Sequence, residues 1–492
     1  MAGQASASRI LVPGTSFFVA PRASTCGLLV DARDYYVAFY RAALAARHTI
    51  LVTGWQFDRG VKLLRGGDVA LAKPMGGEVR FLAFLDELCK RRPSLQVYIL
   101  AWDFHVVLAL EREWMQRLYF HWATNERLRF RFDASHVSSG CHHQKFAVID
   151  GDVSFLGGID ICEARWDDRR HRVANRLRLT RGKPQKPYHD VQAYFRGSEM
   201  AAALEDVFCD RWRRAGGDPI VLAHRASPAR AVRAGRNQVA RGALVFPPGP
   251  VALSLTDPRK KGTRSRHDIR TLLVRALDAA ERLIYVETQY FSSRVLWEAL
   301  VRRMRQTVRR KLDIVLVLNE RADAVKEEIA VGLRQVQIIA DLRRTAAETG
   351  HAFNAYFTLA DGRAWKSTYI HSKLMIVDDR FLTVGSANFT NRSLGVDSEI
   401  NASWETATGR DRRIEAAIRR ARVSLLAEHI GNAGATIARR LATSKGLVAF
   451  LDSLVEAGRS RLRALPPPTR VQSTAIALLD PRVLPFDPER PG

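Results

Sequence analysis

The feature that most limits how this chain can fold is an internal repeat. Within 143–160, His143, Lys145, Asp150, Gly157, Gly158 and Asp160 are spaced as His371, Lys373, Asp378, Gly385, Ser386 and Asn388 are within 371–388, at a constant offset of 228 residues. From ordinary residue frequencies, a second copy arising by chance in a chain this long is on the order of one in ten thousand or rarer. Two related units are therefore expected, each presenting its motif in the same local structure. The flanks agree: apolar runs at 146–149 and 374–377 have strand length, and each leads through a polar turn into a second apolar run. Both motifs read as β-hairpins.

Around the hairpins, helical patterns alternate with strand-like runs: 34–47 before 49–52, 81–90 before 97–100, 267–282 before 283–286, and 295–307 before 314–318. Such alternation predicts an α/β class, with two similar sandwich halves whose mixed sheets are flanked by helices and packed around one shared site. A chain of 492 residues also exceeds what one core comfortably supports. The expected division is a first half at 1–214, a linker rich in Gly, Pro and Arg at 215–250, a second half at 251–431, and a helical extension and tail at 432–492. Helix is expected from just after Asn401, and poor order from Pro466 onward.

The chemistry follows from the residue types. His143 and Lys145 are two apart, so on a strand they leave the same face and meet a phosphate together. A lone His-x-Lys carries little information; its duplication in register carries a great deal. Two such units supply two imidazoles and two ammonium groups to one phosphodiester. One imidazole attacks phosphorus, and the other protonates the leaving oxygen and then activates water or an alcohol. Lys145 and Lys373 neutralise the developing charge in place of a metal, so the reading needs neither metal nor cofactor. Each imidazole needs an acidic partner at its other nitrogen. Asp150 and Asp378 read as structural acceptors in the hairpin turns. His142 falls on the opposite strand face from His143 and reads as a packing residue, whereas His189 is balanced between a site contact and a structural hydrogen bond. Trp55, Trp102, Trp114 and Trp122 read as packing residues rather than a lipid-insertion belt.

The formal net charge is +26. Such a field draws polyanions, either an anionic membrane surface or nucleic acid. Individual clusters, such as Arg302, Arg303, Arg305, Arg309, Arg310 and Lys311, read equally well as solvated helical faces. The five cysteines include no CxxC pair, which points to reduced thiols. No apolar run reaches the roughly 18 to 20 residues of a spanning helix, and the first residues lack a basic-then-apolar leader pattern. The expectation is a monomer in the cytoplasm, bound peripherally to membrane, with export left open.

Further blocks carry a family resemblance. The stretch from Gly157 to Asp168 (GGIDICEARWDD), Pro187 to Val191 (PYHDV), Ile284 to Phe291 (IYVETQYF) and Asp397 to Ala402 (DSEINA) resemble blocks of the phospholipase D superfamily, over about Gly27 to Gly431. The resemblance implies two phospholipase D-like halves. It makes His143 the nucleophile and His371 the general acid and base, with Asp190 and Glu399 as the orienting carboxylates. Glu399 lies 28 positions after His371. Gly158, Asp160, Ser386 and Asn388 would contribute clearance and polar contacts to substrate, and Trp166 and Asp167 would line the mouth that receives a headgroup. Ala164, Tyr188 and Thr288 depart from the family's Gly, Trp and Asn without removing a catalytic group. The implied activity is hydrolysis of a glycerophospholipid headgroup ester, phosphatidylcholine-like, to phosphatidate and alcohol, with headgroup transfer as a variant. Cardiolipin-type synthesis and nuclease action are the rival enzymatic readings. A non-enzymatic basic scaffold is disfavoured because both His and both Lys are intact.

Overall fold

The computed structural model describes residues 9–103, 125–137, 139–222, 240–259, 265–321, 331–362, 366–406, 411–431, 434–469, 472 and 487–488. Trp114 and Trp122, with much of the 215–250 segment, lie outside the described residues.

Two mixed sheets dominate. In the first, β1 (Thr25–Val30), β2 (Thr49–Gly54), β3 (Gln96–Trp102), β4 (Leu128–Asp133), β5 (Phe146–Ile149), β6 (Val153–Gly157) and β7 (Val191–Arg196) are ordered β1-β7-β6-β5-β2-β3-β4. In the second, β8 (Ala252–Asp257), β9 (Leu283–Thr288), β10 (Asp313–Val317), β11 (Ala352–Thr358), β12 (Lys373–Val377), β13 (Phe381–Gly385) and β14 (Glu399–Glu405) are ordered β8-β14-β13-β12-β9-β10-β11. The two orders are the same once the strands are matched in sequence. In both sheets the motif hairpin (β5-β6, β12-β13) is antiparallel and central, while β2-β3-β4 and β9-β10-β11 are parallel.

Strand alternation explains the layering. Phe146 and Val148 face one core and Ala147 and Ile149 another; Leu374 and Ile376 face the first core, Met375 and Val377 a third. The shared middle core joins both sheets with α3 (Ser198–Arg214) and α7 (Arg412–Ile430). The outer face of the first sheet is covered by α1 (Asp31–Ala45) and α2 (Phe81–Arg91), and that of the second by α4 (Asp268–Ala279), α5 (Arg294–Met304) and α6 (Leu333–Thr349). Burying side chains on both faces of these strands removes apolar area from water at roughly 25 cal/mol per Å², the main force holding the layers together.

Several boundaries differ from the sequence expectation. Leu244–Phe246, inside the expected linker, pairs with β1, because Phe246 is buried against Trp404. Strand β14 continues through Glu405 where helix was expected after Asn401. Within the expected extension, Leu462–Ala464 adds an antiparallel strand to β11, and α8 (Leu447–Glu456) packs into the middle core. Asp487, in the expected loose tail, is buried and accepts hydrogen bonds from Ser292 Oγ (2.6 Å) and the Arg392 N–H (2.8 Å). The basic cluster is partly internal: Arg303 Nε and Arg309 Nη2 both donate to the Ala280 carbonyl at the end of α4. All five cysteines are free thiols.

Candidate active site

Both motif histidines are fixed to the opposite half through their backbones. The strand Tyr188–His189 runs parallel to Tyr369–Ile370, and the His371 N–H donates to the His189 carbonyl at 2.8 Å. On the other side, the His143 N–H donates to the Ser398 carbonyl at 2.9 Å, and the Ser398 N–H to Cys141. Lys373 is the first residue of β12, whereas His143, Lys145 and His371 sit just before their strands.

The side chains cross in the same way. His143 Nδ1 lies 3.0 Å from both oxygens of Glu399, and His371 Nδ1 lies 2.6 Å from Asp190 Oδ2. Each imidazole is thus oriented by a carboxylate of the other half. Asp190 immediately precedes β7 and Glu399 opens β14, the matching strand of the second sheet, so the two dyads are related by the repeat. A carboxylate only accepts, so each Nδ1 carries the proton and each Nε2 presents its lone pair. Burial, then Lys145 and Lys373, hold His143 well below the usual imidazole range. Burial, then Lys373, Arg165, Lys145 and His143, do the same to His371. Groups from both halves therefore act on each ring, which places them around one point.

The carboxylates are buried in turn. Burial pushes Glu399 up to about 7, against the pull of two hydroxyls: Ser386 Oγ donates to Oε2 (2.5 Å) and Ser393 Oγ to Oε1 (2.7 Å). Burial likewise pushes Asp190 up to about 7.

The two lysines differ. Lys145 Nζ donates to the His143 carbonyl (3.1 Å) and lies 3.3 Å from Asp160 Oδ2. Lys373 Nζ donates to the His371 carbonyl and to Gln289 Oε1 (3.4 Å), and among the described residues it has no ion-pair partner. Asn388 stands where the first motif has Asp160. Burial, helped by Lys145 and Arg165, pushes Lys373 down to about 7 against the pull of Asp190 and Glu399.

Other expected site residues have different tasks. Asp160 serves as counter-ion to Lys145 and takes the Trp55 N–H at 2.8 Å, rather than facing substrate. Ser386 holds Glu399. Gly158 provides clearance for a carboxylate: a Cβ there would stand 2.3 Å from Asp190 Oδ1. Asn388 retains a buried Oδ1 with no hydrogen-bond partner. Trp166 and Asp167 do not line a mouth. Both are fully buried, Trp166 beneath the Arg65 guanidinium and Asp167 bound by Arg178 (2.7 Å), His171 (3.1 Å) and the Tyr188 N–H (3.0 Å). Their mixed polar and aromatic character suits a buried network as well as a binding rim, which is why sequence could not separate the two.

Asp150 and Asp378 each accept three backbone N–H groups, from Arg47, His48 and Thr49 and from Glu281, Arg282 and Leu283, so each pins its hairpin turn to the start of the neighbouring strand. His142 is buried between Ser398 Oγ (2.8 Å) and Asp133 (3.1 Å). His189 lies in a buried cluster with Asp31, Glu287 and Glu428. Trp55 and Trp102 stack on each other at 5.8 Å.

Sequence reasoning gave no separate role to Arg165, Ser393 or Gln289. Arg165 lies over the Tyr188 ring at 5.2 Å, and Tyr188 packs tilted against His371 at 5.3 Å, so this cation reaches the second dyad through an aromatic wall. Gln289 lay inside the IYVETQYF block and could have been found there. Nothing marked Ser393.

Comparison with known proteins agrees with this geometry. A family model described as "Cardiolipin synthase, PLD-like domain" matches residues 273–417. Phospholipase D A of Dictyostelium discoideum is 25% identical over 82% of this chain and 35% of its own length. Phospholipase D alpha 2 of Oryza sativa subsp. japonica is 26% identical over 72% of this chain and 58% of its own, and phospholipase D alpha 4 of Arabidopsis thaliana 26% over 82% and 64%. The chain thus spans between about a third and just under two thirds of the length of these relatives. The crystal structure of phosphatidylserine synthase from Haemophilus influenzae Rd KW20 shares the fold, with a TM-score of 0.53 at 13% identity over 90% of this chain and 96% of that one. With the duplicated motif and its flanking blocks, these matches make the chain similar to proteins of the phospholipase D superfamily over most of its length.

Proposed function

We propose that the chain cleaves the headgroup phosphodiester of glycerophospholipids of the phosphatidylcholine type, giving phosphatidate and a free alcohol through a phosphohistidine. The observation that carries this reading is the crossed pair of imidazole–carboxylate dyads, each with an Nε2 lone pair beside a buried lysine. His143 Nε2 attacks phosphorus while the bond to the headgroup oxygen breaks, and His371, which takes up a proton at Nε2 when the bound phosphate offsets the positive charge of Lys145 and Lys373, gives that proton to the leaving oxygen. His371 then takes a proton from water, the hydroxide displaces His143, and phosphatidate leaves. An alcohol in place of water gives headgroup exchange. His143 is assigned the attack because its side chain is the more exposed of the two, at 14% against 6%. Lys145 and Lys373 neutralise the phosphoryl oxygens; donors of this kind are each worth about 3 kcal/mol of barrier in other enzymes.

The relatives named phospholipase D favour lipid over nucleic acid, and no helix among the described residues is long and apolar enough to cross a membrane, which suits a peripheral enzyme at an anionic surface. Phosphatidylcholine vesicles and plasmid DNA are offered separately to purified protein, with choline release and nicking as readouts. Digests quenched with denaturant at alkaline pH, where the P–N bond survives, are searched for phosphohistidine. Choline release with the label on the His143 peptide is expected. Nicked DNA without choline would overturn the lipid reading, and a label on any residue other than these two histidines would overturn the mechanism.

A further inference from the structure

Behind the dyads, the interface between the halves buries a second group of ionisable side chains that the proposed chemistry does not use. Asp31 opens α1, His171 follows the GGIDICEARWDD block, His189 precedes Asp190, and Glu428 lies in the last turn of α7. Asp31, His171 and His189 have no exposed surface, and Glu428 almost none.

Their donor atoms converge. His171 Nε2 and His189 Nδ1 each lie 2.9 Å from Glu428 Oε1. Asp31 contributes Oδ2 at 3.5 Å from His171 Nε2 and Oδ1 at 3.3 Å from His189 Nδ1. One ligand atom from each of the four falls within 4.8 Å of all the others. The nitrogens facing away are each held by a further carboxylate, His171 Nδ1 by Asp167 at 3.1 Å and His189 Nε2 by Glu287 at 3.0 Å. That is the outer arrangement which fixes the tautomer and direction of histidines that bind metals.

Three observations call for a cation at the point of convergence. A neutral imidazole has one N–H, so a ring with a carboxylate at both nitrogens aims a lone pair at an oxygen unless something positive lies between. Asp31 Oδ2, fully buried, accepts no hydrogen bond and is directed to the same place. In charge, the four carboxylates of Asp31, Asp167, Glu287 and Glu428 outnumber the guanidinium groups near them, Arg169 on Glu428, Arg178 on Asp167 and Arg461 acting on Asp31, Asp167 and Glu428. A cation at the point of convergence offsets the excess. The alternative is two protons: the surrounding carboxylates raise both imidazoles against the cost of burial, which would leave two imidazolium rings 5.6 Å apart, both directed at one carboxylate oxygen.

We propose that Asp31, His171, His189 and Glu428 bind a divalent transition metal, zinc by the chemistry of two imidazoles and two carboxylates, which clasps the two halves together behind the active site. Three ligands come from the first half and one from the second. The ion is structural: four protein donors fill its positions. Its consequence for the active site is positional, since His189 is adjacent to Asp190, and Asp31 Oδ1 also takes the Asp190 N–H at 3.3 Å.

The test uses the full chain purified without chelators. Elemental analysis is expected to find close to one zinc, or another first-row divalent metal, per chain. Stripping with 1,10-phenanthroline should lower the melting temperature, Zn2+ alone should restore it, and Co2+ alone should give ligand-field absorption bands. Glu428→Gln and Asp31→Asn should each lower the bound metal at least tenfold, whereas His143→Ala should retain it. If both site variants fail to fold, stripping and reloading of the unmodified protein decides. A chain with less than a tenth of an equivalent of metal, whose melting is unmoved by Zn2+ and Co2+, overturns the proposal; so does metal lost from His143→Ala but kept by Asp31→Asn. Metal content and melting are read without turnover, so a zinc-bearing chain that releases no choline leaves this site standing while refuting the proposed activity.

Discussion

The sharpest prediction comes from the one place where the two motifs differ in charge. Asp160 lies 3.3 Å from the Lys145 ammonium, while its counterpart in the second motif is the neutral Asn388. Burial brings Lys373 from its ordinary 10.5 down to about 7. At about 1.4 kcal/mol per pH unit, that displacement corresponds to about 5 kcal/mol. A carboxylate at the Asp160–Lys145 distance, in an effective dielectric of about 20, returns about 5 kcal/mol of attraction. Asn388→Asp should therefore recover most of the loss, less what it costs to bury the new carboxylate. The alkaline limb of kcat/KM, which falls as Lys373 loses its proton above about 7 in the parent, is expected to move up by about two pH units. The assay is a pH series from 5 to 10 on a soluble short-chain phosphatidylcholine, so that vesicle charge does not contribute. The absolute rate should drop, because the new anion opposes the substrate phosphate, but the position of the limb does not depend on its height. An unmoved limb in an active Asn388→Asp protein would refute the assignment of that limb to Lys373.

Other consequences can be checked alongside. His143→Ala and His371→Ala should each remove turnover almost completely, and the double variant should be no worse than either, since the two act as a unit; substantial turnover in one single variant would contradict this. Removing both hydroxyl donors of Glu399 with Ser386→Ala and Ser393→Ala leaves its charged form less stabilised, so the acid limb, set by protonation of a carboxylate at about 7, should move to higher pH, which the same pH series reads. Gly158→Ala puts a methyl group into Asp190 and should cut kcat by about a hundredfold by displacing the carboxylate from His371, with KM little changed. Binding to anionic vesicles should weaken steeply between low and physiological salt, as expected of attraction by a net charge of +26; sedimentation that is insensitive to salt would point to apolar insertion instead.

Much of this was legible because it is local or repeated. The hairpins follow from apolar runs ending in turns, and the structural task of Asp150 and Asp378 follows from their place in those turns. Asp190 and Glu399 were reachable through the blocks that contain them, but their crossing was not. Glu399 is nearer His371 in sequence, yet it is bonded to His143, because it heads a strand of the second sheet that faces the first motif. Depth was also hidden: Trp166 and Asp167 are residue types at home on a rim, and only the packing of Arg65 and Arg178 over them shows that they are interior. Leu462–Ala464 is three residues long, too short for periodicity to reveal, and becomes a strand because β11 offers it an open edge.

The exchange of acids between the halves bears on how such a chain could have arisen. A single half, folded alone, would own a histidine with no acid and an acid with no histidine, and so would have nothing to offer selection. Function could begin only when two copies met face to face, each lending its carboxylate to the other. Joining them end to end would then turn an encounter that depends on concentration into a permanent one, after which the copies were free to diverge at positions such as Asp160 and Asn388. The same reasoning implies that the two halves, produced as separate polypeptides, should be inert apart and regain turnover in proportion to their association.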